Sequence, residues 1–159
     1  MSLIQSSGMD HSPDGAYRCV VEPGEFPIAA IYMAHNHLRS MCSGLVGAGA
    51  EVRVIYDRDP DKLALLRKDF PEAQVAANEQ EVLDHPDVKL IAAADVPSNR
   101  GSLGERVMHA GKDYFTDKCP FTTMGQLDSA RSVTTTTGRK FMVYFGERLH
   151  NEAIIRAGQ

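Results

Sequence analysis

The chain has 159 residues, 43% of them hydrophobic and 24% charged, with a formal net charge of −4. That length allows one domain with a full core and not two complete α/β domains. The acidic balance gives no sign of a nucleic-acid or membrane surface, and no apolar run is long enough to span a bilayer.

Residues 1–26 are rich in Ser, Gly, Pro and Asp, and they read as a flexible tail in which only "YRCVVE" has strand character. No basic start followed by an apolar segment marks a signal peptide. Cys19, Cys42 and Cys119 form no C-x-x-C pair, which points to a reducing, cytoplasmic setting rather than a disulfide framework.

From Ile28 onward, short apolar runs alternate with helical patterns. The expected strands are Ile28–Met33, Val52–Tyr56, Gln74–Ala76, Leu90–Ala94, Tyr114–Thr116 and Phe141–Phe145. Continuous apolar runs of this kind suit strands covered on both faces. Between them, Asp59 or Asp61 caps a helix with Leu63, Leu66 and Phe70 on one face. Ser98 caps another carrying Leu103, Val107 and Met108, and Thr123 caps a third carrying Met124, Leu127, Ala130 and Val133. Gly47, Gly49, Gly111 and Gly138 stand where these helices should stop. No internal repeat is visible. Repeated βα units imply a doubly wound, mainly parallel α/β sheet with right-handed crossovers. The boundaries read as a tail over 1–26, a dinucleotide-binding domain over 27–148, and over 149–159 the start of a helix leading into a further domain.

The first unit, from Ile28 to Asp57, has the outline of a dinucleotide site, whose turn usually carries G-x-G-x-x-G. Here the turn is Tyr32-Met33-Ala34-His35-Asn36-His37, with Tyr32, Ala34 and His37 in the three glycine places. Tyr32 and His37 must therefore point away from a phosphate or reshape the turn. The helix start at 35–37 still offers backbone N–H groups to an anion, and His35 or Asn36 can donate to a phosphate or to a nicotinamide. Asp57, twenty residues after His37, stands where a carboxylate accepts hydrogen bonds from an adenosine ribose; its plainer reading is a helix cap. Arg58 admits a ribose phosphate, hence NADP. His35-x-His37 also invites a metal, but two ligands make no site, and the expectation is that none binds. Cys119, with no histidine tied to it by sequence, reads as a bystander.

The later half carries a resemblance. "DVPSNR", "HAGKDYF" and "DKCP", in that order within Pro86–Thr123, resemble the segments of the glucose–fructose oxidoreductase, inositol dehydrogenase and MocA family, and the similarity runs from about Ile28 to Glu152. The resemblance implies a Rossmann-type NAD(P)-binding domain followed by a second α/β domain. That second domain supplies part of the substrate site, commonly an acid/base histidine, and much of the oligomer interface. It implies hydride transfer between NAD, or NADP, and a sugar, cyclitol or related polyol. Lys118 falls on the family's signature lysine, near the nicotinamide and the reacting group, and is the expected catalytic residue. Asp117 stands for the glutamate before it. Cys119 takes the proline's place and Pro120 follows, which would move a proline-made bend by one residue. Val96, Pro97 and Asn99 fall in a turn that contacts the cofactor, and Arg100 stands near a frequent histidine. The expected cofactor contacts are therefore Met33, Ala34, His35, Asn36, His37, Asp57, Arg58, Val96, Pro97, Asn99, Asp117 and Lys118. The chain alone is expected to be inactive, and a homo-oligomer is expected only with the second domain. The competing reading is a non-catalytic binding or sensing module whose cofactor site has decayed.

Overall fold

The first strand, β1 (Pro27–Met33), is buried along all seven residues, because it lies in the middle of a sheet covered on both faces. The structure is a computed structural model, and it describes residues 19–146. Residues 1–18 of the expected tail over 1–26, and the expected helix over 149–159, lie outside the described residues.

The remaining elements follow in alternation. They are α1 (His37–Gly47), β2 (Glu51–Tyr56), α2 (Pro60–Asp69), β3 (Gln74–Val75), α3 (Glu79–Asp84), β4 (Leu90–Ala94), α4 (Pro97–His109), β5 (Asp113–Asp117), α5 (Met124–Thr137) and β6 (Phe141–Tyr144). The strands form one sheet in the order β3-β2-β1-β4-β5-β6, and every described pairing is parallel. The order reverses at β1, so a crevice opens between the ends of β1 and β4, where doubly wound sheets place their ligands.

Alternation along β1 divides the core between the two faces. Ile28 and Ala30 join Leu38 and Met41 of α1 and Leu66 of α2 on one side. Ala29 and Ile31 join Val82 of α3 and Leu103 and Val107 of α4 on the other. Each large aliphatic side chain so covered contributes about 1.5–3 kcal/mol. The second face packs tightly: a Cβ on Gly104 would come within 2.5 Å of Phe141 and 2.7 Å of Tyr114.

Four details depart from the sequence expectations. The α4 helix begins at Pro97 with Val96 as its cap rather than Ser98, because proline's fixed φ suits the first helical position. The short α3, capped by Asn78, was not anticipated; its six residues bury only Val82 and Leu83, too few to show a helical period. Met124 is 68% exposed and lies off the buried face of α5. The caps at Asp59 and Thr123 form as expected. Within "YRCVVE", the described residues 19–22 form no strand. Instead the Val20 N–H donates to the Ala48 carbonyl at 2.9 Å.

Candidate functional site

The carboxyl ends of β1, β2, β4 and β5 lead into Ala34, Asp57, Asp95 and Lys118. Parallel strands put all four on one edge of the sheet, so the expected site residues do come together there.

Tyr32, in the first glycine place, holds a positive φ of 56°, and the register between β1 and β4 shifts between Ile31 and Met33. A glycine meets that backbone shape at no cost, whereas a tyrosine is strained by about 1–3 kcal/mol. The side chain turns away from the crevice. Its hydroxyl donates to Glu79 at 2.5 Å, and its ring lies 4.2 Å from the Arg58 guanidinium. Burial, reinforced by the bond to Glu79, pushes the Tyr32 hydroxyl's pKa up. Glu79 is held below its ordinary value: burial opposes this, but hydrogen bonds from Arg106 and Tyr32 outweigh it. Ala34, His35 and Asn36 stay exposed at the turn's tip. Asn36 makes no side-chain cap; the first helical N–H, that of His37, donates to His35 Nδ1 at 3.2 Å.

Asp57 is 6% exposed. One oxygen accepts from the Met33 N–H at 2.7 Å and the other from the Asp59 N–H at 2.9 Å. The carboxylate thus ties the turn after β1 to the start of α2, and only its remaining lone pairs are left for a ligand. Arg58 pairs with Asp95, which also accepts from Asn99 at 3.2 Å. Because β1 lies between β2 and β4, this ion pair crosses over the end of β1. Val96 and Pro97 are exposed beside it.

The other half of the edge is organised by Arg100, which is 3% exposed. It donates to the carbonyls of Asp95, Lys118 and Cys119 and faces Asp117 Oδ2 at 3.4 Å. Far from standing in for a site histidine, Arg100 is a buried clamp on the loop after β5. The spacing of Arg100, Leu103 and Val107 on one helix face was the available signal that it points inward. The peptide bond between Lys118 and Cys119 is cis.

Asp117, 2% exposed, is also bound by His37 Nδ1 at 3.0 Å and by the Lys118 N–H at 2.9 Å. His35 Nδ1 lies 3.8 Å from its other oxygen, the two imidazole rings are 4.0 Å apart, and Tyr144 meets His37 edge-on at 5.7 Å. Ligand atoms of His35, His37 and Asp117 all fall within 4.8 Å of one another. The third potential ligand is therefore Asp117 and not Asp57, although the carboxylate already faces the Arg100 guanidinium. Cys119 is exposed. The buried Cys42 thiol is pushed up to about 12 by burial, so it stays a protonated core group.

No family model matches the sequence, and no curated protein matches it significantly. Solved structures do. A protein named as an oxidoreductase from Erwinia carotovora atroseptica is 41% identical, with a TM-score of 0.80 over 84% of this chain and 40% of its own. The chain has a Rossmann-type fold like that of this oxidoreductase, in keeping with its resemblance to the glucose–fructose oxidoreductase, inositol dehydrogenase and MocA family. More distant folds agree. GenD2 of gentamicin A biosynthesis, in complex with NAD, is 18% identical with a TM-score of 0.74, over 86% of this chain and 38% of that one. A myo-inositol 2-dehydrogenase from Lactobacillus plantarum is 16% identical with a TM-score of 0.70, over 86% of this chain and 42% of that one. The domain thus spans about two fifths of the length of each. Among the described residues no helix is long and apolar enough to cross a membrane.

Proposed function

We propose that this domain binds NAD in the crevice between β1 and β4 and serves an oxidoreductase that transfers a hydride to or from a sugar, cyclitol or related polyol. The observation that carries the reading is the outward path of Tyr32. With its hydroxyl on Glu79 and its ring against Arg58, the side chain of the largest residue in the glycine-free turn is engaged by α3 and by the residues after β2 rather than by the exposed tip at Ala34, His35 and Asn36. Ala34, the middle glycine's replacement, adds only a methyl group at an exposed position. The residues present therefore fit a dinucleotide.

In this reading the exposed turn at Ala34, His35 and Asn36 faces the pyrophosphate, and the free lone pairs of Asp57 meet the adenosine ribose. Asp57 repels a 2′-phosphate, and Arg58 is already engaged by Asp95 and Tyr32. NAD is accordingly preferred, with NADP the weaker ligand. Val96, Pro97 and Asn99 border the nicotinamide half. Lys118 orients and polarises the substrate oxygen from the loop that Arg100 holds. When bound, the nicotinamide supplies the hydride acceptor or donor. Turnover also needs a substrate held in contact with it, which we assign to a second domain. That domain would complete the site and make most of a homo-oligomer interface, in the cytoplasm.

Thermal shift with NAD and NADP tests the binding. The chain should be stabilised by NAD at millimolar concentration and less by NADP, and Asp57→Ala should narrow the difference between the two. A chain stabilised by neither would favour the non-catalytic module. In a protein extended by the second domain, Lys118→Ala should lower kcat more than it weakens NAD binding; unchanged kcat would remove Lys118 from the chemistry.

A further inference from the structure

His37 sits at the third glycine place of the turn, yet its ring does not point toward the adenosine half. Its Nδ1 meets Asp117 at the end of β5, and its ring touches Tyr144 at the end of β6. Both strands belong to the second half of the sheet, the half over which a dinucleotide lays its nicotinamide. Lys118, the residue placed at the substrate oxygen, directly follows Asp117.

The pair has the form of a positioned base. The carboxylate is 3% exposed in its side chain and the imidazole 30%, so one partner is fixed and the other reaches solvent. Asp117 is itself held by Arg100 and by the Lys118 N–H. An imidazole whose Nδ1–H donates to a buried carboxylate keeps its lone pair on Nε2, across the ring, and the carboxylate stabilises the imidazolium that forms when Nε2 takes a proton. A histidine serving only as a helix start needs no buried acid from a strand at the other side of the crevice.

We propose that His37, positioned by Asp117, is a proton acceptor and donor for the hydride transfer, carried by the dinucleotide domain itself. The inference rests on the cofactor reading above. In the oxidative direction the substrate C–H pair leaves as hydride to the nicotinamide. The O–H bond breaks, its electron pair becomes the second bond of the carbonyl, and the proton goes to His37 Nε2. The imidazolium then returns that proton to water; reduction runs the same path backward. Lys118 holds the oxygen while this happens. The family resemblance placed an acid/base histidine in the second domain, so this assignment gives the first domain a proton route of its own.

The groups facing His37 from its packed neighbours are His35 from the turn, Asp117 from the end of β5, Arg100 from α4 through Asp117, and Tyr144 from β6. A nicotinamide cation arriving beside this set disfavours an imidazolium, whereas the neutral reduced ring does not. Binding of NAD⁺ should therefore expel a proton that binding of NADH leaves in place.

The test is calorimetric titration of this chain with NAD⁺ and with NADH near pH 6.5, each in PIPES and in Bis-Tris, whose different ionisation enthalpies count the protons. NAD⁺ should release more protons than NADH. His37→Gln, which keeps a donor for Asp117, should abolish that difference while still binding NAD⁺, and His109→Gln, in the exposed last turn of α4, should keep it. Equal release by both nucleotides, or a difference that survives His37→Gln, overturns the proposal. Absence of binding by either nucleotide defeats the cofactor reading instead. Should His37→Gln fail to fold, the histidine ¹H–¹⁵N spectrum of the wild-type chain decides. His37 resonances that differ between the NAD⁺ and NADH complexes support the assignment, and identical ones refute it.

Discussion

Asp57 and Asp117 end the same kind of strand on the same edge of one sheet, and both are nearly buried, yet their partners differ. Asp57 is gripped by two backbone N–H groups, those of Met33 and Asp59. Asp117 is gripped by ionisable side chains, His37 and Arg100, together with one N–H. A carboxylate that satisfies main-chain donors fixes a turn, and its charge is largely consumed there. A carboxylate set between an imidazole and a guanidinium positions side chains instead. Under the proposed reading, the half given to adenosine is built for shape and the half given to the nicotinamide for chemistry.

The sharpest way to break that comparison is to remove the first acid. Asp57→Ala strands two backbone donors, and at about 1–3 kcal/mol for each buried unsatisfied group the domain should lose about 2–6 kcal/mol in a urea melt. A loss below about 0.5 kcal/mol would show that Asp57 is not a structural tie. Gly104→Ala probes the wall behind the other half. The added Cβ meets Tyr114 and Phe141, so the same melt should show a loss of about 1–3 kcal/mol, and an unchanged midpoint would mean that this wall yields.

Smaller effects test the anchor that holds Tyr32 out of the crevice. Tyr32→Phe removes one bond to a charged acceptor and should cost about 1–2 kcal/mol. The same contact gives a pH signature. Glu79 has a folded value below its ordinary 4.5, so its contribution is present above the unfolded value and is lost as pH falls through the folded one. Between about pH 5 and pH 3 the wild type should therefore lose more stability than Glu79→Gln; parallel curves would deny the link. The least effect is expected from metals. His35, His37 and Asp117 lie close enough to be considered as ligands, but Asp117 already faces Arg100. Dialysis against zinc or nickel should leave well under one equivalent on untagged protein, and a stoichiometric metal lost on His37→Ala would overturn that.

The fold was legible in the sequence because buried parallel strands read as apolar runs, and Asp59, Thr123 and the stop glycines mark the helix ends by local chemistry. The short α3 was not legible, since six residues carry too little period, and the α4 start was hidden because Pro97 set it before the better-known cap at Ser98. At the site, the residues of the edge were legible by position, but their pairings were not. His37 and Asp117 are eighty residues apart, and nothing local ties one to the other. The clamp made by Arg100 was hidden in the same way, since two of its carbonyl partners, Lys118 and Cys119, lie on the loop after β5.

The most direct measurement is a crystal structure of this chain with NAD. The account places the adenosine ribose at Asp57, the pyrophosphate at the turn of Ala34, His35 and Asn36, and the nicotinamide beside His37 and Lys118, with Tyr32 still bonded to Glu79. A dinucleotide bound with its nicotinamide away from His37 and Lys118, or a crevice that Tyr32 fills while NAD binds elsewhere, would contradict it.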